Sequence, residues 1–66
     1  MNMNISVSVI IPTYNEEKSI EKLIDLLIIQ SYPIKEIIIS DAGSTDRTFE
    51  IVNNINTSNI KIIFFK

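Results

Sequence analysis

The sequence predicts an α/β fold, a βαβαβ unit built on a parallel sheet. Three observations predict it: three β-branched apolar runs, two helical patterns between them, and abrupt polar turn chemistry after the first two runs. Strands alternating with helices at this spacing imply parallel pairing and right-handed crossovers. Two junctions stand out, Val9-Ile10-Ile11-Pro12-Thr13-Tyr14-Asn15-Glu16 and Ile37-Ile38-Ile39-Ser40-Asp41-Ala42-Gly43-Ser44-Thr45-Asp46. Both fall at the carboxyl ends of neighbouring strands, where open α/β sheets bind ligands.

Residues 5–12 form a continuous Val/Ile-rich run, as expected of a strand buried on both faces. Pro12 ends it. Asn15 is a natural N-cap for the helix that follows, and Glu16 and Glu17 in its first turn suit the helix dipole. Ile20, Leu23, Ile24, Leu27 and Ile28 then fall on one helical stripe, with Glu21, Lys22 and Asp25 off it. Leu26 and Ile29 widen that stripe, so the helix is expected to pack on more than one neighbour. Ser31-Tyr32-Pro33 stops it, because proline disfavours helix for the residue before it.

Residues 36–40 make the second strand. Gly43 supplies positive-φ freedom in the turn after it, and Ser44 or Thr45 can cap a second helix running to about Ile55. Thr48, Ile51, Val52 and Ile55 form the inner face of that helix, residues 53–59 a polar turn, and residues 60–65 a third strand. If strand order follows chain order, right-handed crossovers place both helices on one face of the sheet. A reversal at the first strand would place them on opposite faces. Either way Lys61-Ile62-Ile63-Phe64-Phe65 is a hydrophobic edge, which is an aggregation hazard.

Length and composition bound the function. Sixty-six residues make at most one domain, and a chain of this size buries only about 60% of its unfolded surface. There is no Cys or His, hence no disulfide, no zinc site, no thiol nucleophile and no hydrolytic triad. Cysteine usage fits a reducing compartment, and the expected location is the cytoplasm. A net charge of −2 leaves no basic stripe for nucleic acid. A nucleotide ligand remains compatible, because backbone amides can hold phosphates. No apolar run reaches the length of a spanning helix, so no transmembrane segment is expected. With Gly43 the only glycine, neither a Gly-x-Gly-x-x-Gly nor a Walker loop exists.

The candidate residues sit at the two junctions. Tyr14 offers an aromatic face for stacking, Pro12 and Thr13 a free backbone, and Glu16 a carboxylate. Alone, the same residues read chiefly as turn chemistry, with Tyr14 covering the sheet edge. Asp41 can accept hydrogen bonds from a base or a ribose, as acidic residues after strands do in dinucleotide sites. It can also close an Asx turn onto the amides near Gly43. Ser44, Thr45 and Asp46 read chiefly as helix-start residues, and Arg47 as part of a solvated helix face.

Taken together, Val7-Ser8-Val9-Ile10-Ile11-Pro12-Thr13-Tyr14-Asn15-Glu16, Gln30-Ser31-Tyr32-Pro33 and the segment 36–48 resemble the start of a family 2 glycosyltransferase. The resemblance covers about residues 5–65. It implies the N-terminal nucleotide-binding portion of a GT-A domain, the Rossmann-like nucleotide-diphospho-sugar transferase fold. It also implies transfer of a sugar from a nucleotide-diphosphate sugar, commonly UDP-linked, to a glycan or lipid-linked acceptor.

By position, Pro12 and Tyr14 match residues lining the nucleoside, with Thr13 between them, and Glu16 matches a place near that pocket. Asp41 matches the first acid of an Asp-Asp or Asp-x-Gly-Ser element, whose second acid is here Ala42. Such enzymes use a divalent metal, Mn or Mg, held by a later Asp-x-Asp element. That element and the catalytic base would lie beyond Lys66, so no metal ligand and no catalytic residue is expected on residues 1–66. The chain alone is then expected to be inactive, and the complete enzyme to work at the inner face of the membrane. Two other readings are a small nucleotide-binding module using the Pro12, Tyr14 and Asp41 rim, and an interaction subunit whose strand 60–65 pairs with another chain.

Overall fold

The computed structural model describes residues 6–30, 33–57 and 59–66. The elements run β1 (Val7–Thr13), α1 (Ile20–Ile28), β2 (Ile34–Asp41), α2 (Thr48–Asn53) and β3 (Lys61–Phe65). This is the expected βαβαβ order. The start of the first strand at Ile5 and the helix stop at Ser31-Tyr32 lie outside the described residues.

All strands are parallel and the sheet order is β1-β2-β3. Chain order is therefore kept, and both crossover helices share one face. Ile20 and Ile24 of α1 and Val52 of α2 cluster there with Ile37 and Ile39 of β2. Val9 and Ile11 of β1 and Ile62 and Phe64 of β3 extend that layer. Period-2 alternation explains the selection, since these strand residues all point to the helical side. β2 lies between two strands and under two helices, so Ile37 and Ile39 are fully buried. Each such side chain contributes about 1.5–3 kcal/mol of burial.

Four local expectations need correction. Pro12 does not end β1, which continues to Thr13 with Pro12 paired to Ser40. Among the described residues β1 has a neighbour on only one side, and an edge strand tolerates a residue without an N–H. The wide apolar face of α1 is not used to its full width: Ile20 and Ile24 are buried, whereas Leu23, Leu26 and Ile29 are exposed. Among the described residues α1 packs only on the sheet and against α2, which leaves that side of the helix uncovered. The second helix is also shorter than expected, ending at Asn53 rather than Ile55.

The fourth correction concerns Asn15. It caps no helix; α1 begins five residues later, with Ser19 at its N-cap position and no side-chain cap bond there. A turn precedes it, in which the Glu16 carbonyl accepts from the amides of Ser19 (3.0 Å) and Ile20 (2.8 Å). Asn15 itself takes φ 49°, the left-handed region that asparagine enters more readily than most residues. That conformation turns it toward the other junction.

Candidate functional site

The two junctions meet at the carboxyl rim of the sheet because β1 and β2 pair in parallel register, Pro12 opposite Ser40 and Thr13 opposite Asp41. The Ala42 amide extends that pairing by donating to the Thr13 carbonyl at 2.8 Å. Pro12, Thr13, Tyr14 and Asp41 thus share one edge, as the sequence pattern implies. Thr13 is buried, and its hydroxyl donates to the Ile11 carbonyl of its own strand (3.1 Å). Tyr14 is 55% exposed, so its ring presents a face to solvent rather than sealing the sheet. The Glu16 carboxylate accepts from the Ser19 hydroxyl at 2.7 Å and serves the turn before α1.

Asp41 is the last residue of β2 and only 6% exposed. Its Oδ2 accepts from the amides of Gly43 (2.9 Å) and Ser44 (2.7 Å), and its Oδ1 from the Ser44 hydroxyl. The Asx-turn reading of Asp41 is therefore realised. The Ser44 hydroxyl holds the Asp41 carboxyl below the ordinary carboxylate value, against the opposing effect of burial. The amides of Ser44 and Gly43 and the charge of Lys66 push in the same direction as the hydroxyl. A carboxylate offers about four acceptor positions. Three are occupied, which leaves one on Oδ1 without a donor among the described residues.

Gly43 has φ 101°, a value that L side chains rarely adopt, and it is what lets the chain fold back onto Asp41. After it, Arg47 holds the N-cap position of α2 without a side-chain bond of its own, and the carboxylate that accepts at the helix start is that of Asp46 rather than the hydroxyl of Ser44 or Thr45. Asp46 Oδ1 accepts from the Thr48 amide (2.9 Å) and from the Thr48 hydroxyl. Burial raises the Asp46 carboxyl, but hydrogen bonds from the Thr48 hydroxyl and the amides of Thr48 and Glu17 outweigh it and leave it lowered. Arg47 pairs with Glu50 at 3.3 Å on the exposed side of the helix, as expected of a solvated face.

The junctions are also stitched to each other. The amides of Asn15, Glu16 and Glu17 donate across to Ser44 Oγ (2.8 Å), Thr48 Oγ1 (2.9 Å) and Asp46 Oδ2 (3.2 Å). In return, Asn15 Oδ1 accepts from the amides of Thr45 (2.8 Å) and Asp46 (3.3 Å), and Glu17 Oε1 from the Arg47 amide (3.1 Å). Sequence reasoning assigned these residues to local caps and missed the cross-links. The signal was present only as a surplus of Asn, Asp, Ser and Thr at both turns.

Beside the rim, a shallow hollow is lined by Phe49, Phe64 and Lys66. The two rings meet edge to face with centroids 4.9 Å apart. A second hollow, at the opposite end of the sheet, is lined by Ile28, Pro33, Ile34, Asn56, Thr57, Asn59 and Ile60. It gathers no charged side chain. Among the described residues no group of three or more acidic, His or Cys side chains could hold a metal ion. No helix among the described residues is long and apolar enough to cross a membrane.

Residues 8–66 match Glycosyl transferase family 2, and the chain belongs to that family. It is 44% identical over 62 residues to a Methanococcus voltae protein named dolichyl N-acetyl-alpha-D-glucosaminyl phosphate 3-beta-D-2,3-diacetamido-2,3-dideoxy-beta-D-glucuronosyltransferase. That alignment covers 85% of this chain and 19% of the relative. An uncharacterized glycosyltransferase of Haemophilus influenzae is 40% identical over 65 residues, covering 98% of this chain and 26% of the relative. An Escherichia coli protein, UDP-Glc:alpha-D-GlcNAc-diphosphoundecaprenol beta-1,3-glucosyltransferase, is 43% identical over 54 residues, 82% of this chain and 22% of its own. The chain thus spans about a fifth to a quarter of the length of these relatives. No solved structure matches it with significance.

Proposed function

We propose that residues 1–66 are the N-terminal, nucleoside-binding portion of a GT-A domain. The whole protein would transfer a sugar from a UDP-linked donor to a glycan or lipid-linked acceptor. The observation that carries this reading is the rim itself: Tyr14 exposed and Asp41 nearly buried, brought together by the pairing of Thr13 with Asp41. The family supplies the reaction class, and the printed name of the Escherichia coli relative supplies a precedent for a UDP donor.

In this reading the Tyr14 ring stacks on the base, which is worth about 1–3 kcal/mol for an aromatic–base contact. The free position on Asp41 Oδ1 accepts an N–H of the base. Because the carboxyl is held low, it is ionised at neutral pH and can only accept, which selects a ligand edge with a donor. At the rim Thr13 lies on the helical side of the sheet and Pro12 on its uncovered side, and Glu16 stands near the pocket with its carboxylate turned to Ser19. Ala42 supplies no second acidic acceptor. The divalent ion expected of the family, and the base that activates the acceptor, would belong to other parts of the whole protein. These 66 residues bind one end of the donor and perform no transfer by themselves.

Titration of the whole protein with UDP, followed by calorimetry, tests the assignment. Tyr14→Ala and Asp41→Asn are each expected to weaken UDP by roughly tenfold, the loss of one stacking contact or one charged hydrogen bond. Unchanged affinity in both variants would remove the rim from the donor site.

A further inference from the structure

We infer that Asn15 is a positioning residue for the nucleoside rim, acting through Ser44 on Asp41. The inference rests on the donor-site reading above and adds to it a residue that touches no ligand. Three observations converge on Asn15. Its φ of 49° places its own amide and its side chain on the same neighbouring turn. The amide donates to Ser44 Oγ at 2.8 Å, and the Ser44 hydroxyl, its proton thereby directed away from Asn15, donates to Asp41 Oδ1. The side-chain oxygen, Oδ1, accepts from the amides of Thr45 and Asp46, which fixes the two residues that follow Ser44.

The consequence is orientation. A serine hydroxyl rotates freely unless an acceptor–donor pair pins it. Here a donor on one side and a carboxylate on the other leave it one orientation. That orientation decides which acceptor position of Asp41 Oδ1 is taken and which faces the rim. Tyr14 is held by the same device, because both residues flanking it are tied to the second junction. The Thr13 carbonyl accepts from Ala42, and the Asn15 amide donates to Ser44. A stacking ring and an accepting carboxylate on separate turns keep a fixed separation only if the turns are locked. Asn15 supplies that lock from the first turn, and its partners all lie 29 to 31 residues away in sequence.

Asn15→Gly and Asn15→Asp in the whole protein separate this role from bulk stability. Glycine accepts the backbone conformation without strain but removes Oδ1. Aspartate keeps both the conformation and an acceptor. UDP affinity is measured by calorimetry well below the melting temperature, and exchange of the Thr45 and Asp46 amides is followed in parallel. Asn15→Gly is expected to weaken UDP about five- to tenfold, the loss of hydrogen bonds at a partly solvated site, and to speed exchange of both amides. Asn15→Asp is expected to restore affinity to within about threefold and to restore protection. If Asn15→Gly binds UDP like the unmodified protein while Asp41→Asn is weakened, the positioning role is overturned and the donor site stands. An Asn15→Asp variant as weak as Asn15→Gly also overturns it. If Tyr14→Ala and Asp41→Asn both bind UDP like the unmodified protein, or the unmodified protein does not bind it, the donor-site reading itself falls.

Discussion

Asp41 and Asp46 are the two side chains on which both turns depend, and each is held ionised by what donates to it. The carboxyls of both are lowered in the folded chain, Asp41 foremost by the Ser44 hydroxyl and Asp46 by bonds that overcome its burial. An unfolded aspartate titrates near 3.9. A group whose folded value is lower stabilises the fold above that unfolded value and stops doing so as pH falls through the folded one. Stability from these two groups is therefore expected to be constant down to about pH 5 and to decline below about pH 4. Thermal melts of the whole protein across that range check it, and Asp46→Asn should flatten part of the acid slope. A slope unchanged in both Asp46→Asn and Asp41→Asn would show that these carboxylates do not drive acid sensitivity. At this scale the placement of Pro12, Thr13, Tyr14 and Asp41 at one rim was legible in the sequence, because turn chemistry directly after an apolar run is a local signal. Asn15 was not, since its conformation and partners are decided by a turn roughly thirty residues further on.

α2 shows how far an element here depends on its neighbours. Six residues are well short of the ~12–15 that an isolated helix needs in water. What holds α2 is its docking through Thr48 and Val52, both buried. Thr48 is fully buried, and its hydroxyl donates to Asp46 and accepts from the Glu16 amide. Thr48→Val keeps the shape and removes both bonds, leaving the Glu16 amide without its partner. It is expected to cost about 1–3 kcal/mol, read as a lower urea midpoint with unchanged slope. Thr48→Ser, which keeps the hydroxyl, should cost less, and equal losses in the two variants would assign the effect to the methyl group instead. The order and type of all five elements followed from periodicity alone, because Val/Ile runs and helical stripes are dense in this chain. Helix starts were the weak point. Several Ser, Thr, Asn and Asp residues stand at each turn, any of which can cap, and only tertiary pairing selects among them.

The whole molecule is one-sided. A parallel sheet ordinarily has both faces covered, yet sheet order β1-β2-β3 puts α1 and α2 on the same face. The register defines what the other face carries: Ser8, Glu36 and Lys61 in one row, Ile10, Ile38 and Ile63 in the next, Pro12, Ser40 and Phe65 nearest the rim. The first row is polar, with the Ser8 hydroxyl donating to Glu36 at 2.7 Å. The second is wholly apolar, and Ile10 at its end is 64% exposed, as Phe65 is at 63%. Burying such a row is worth about 25 cal/mol per Å² of apolar surface removed from water, so two copies gain by meeting face to face. The 66 residues expressed alone are therefore expected to self-associate, with sedimentation velocity showing species above monomer that grow with concentration. Ile10→Thr keeps a β-branched residue in the strand and cuts the apolar row, so it should shift the distribution toward monomer while changing fold stability by only about 0.5 kcal/mol. A chain that sediments as monomer throughout would overturn the expectation, and an Ile10→Thr variant that associates as before would place the driving surface elsewhere, on the exposed Leu23, Leu26 and Ile29 of α1.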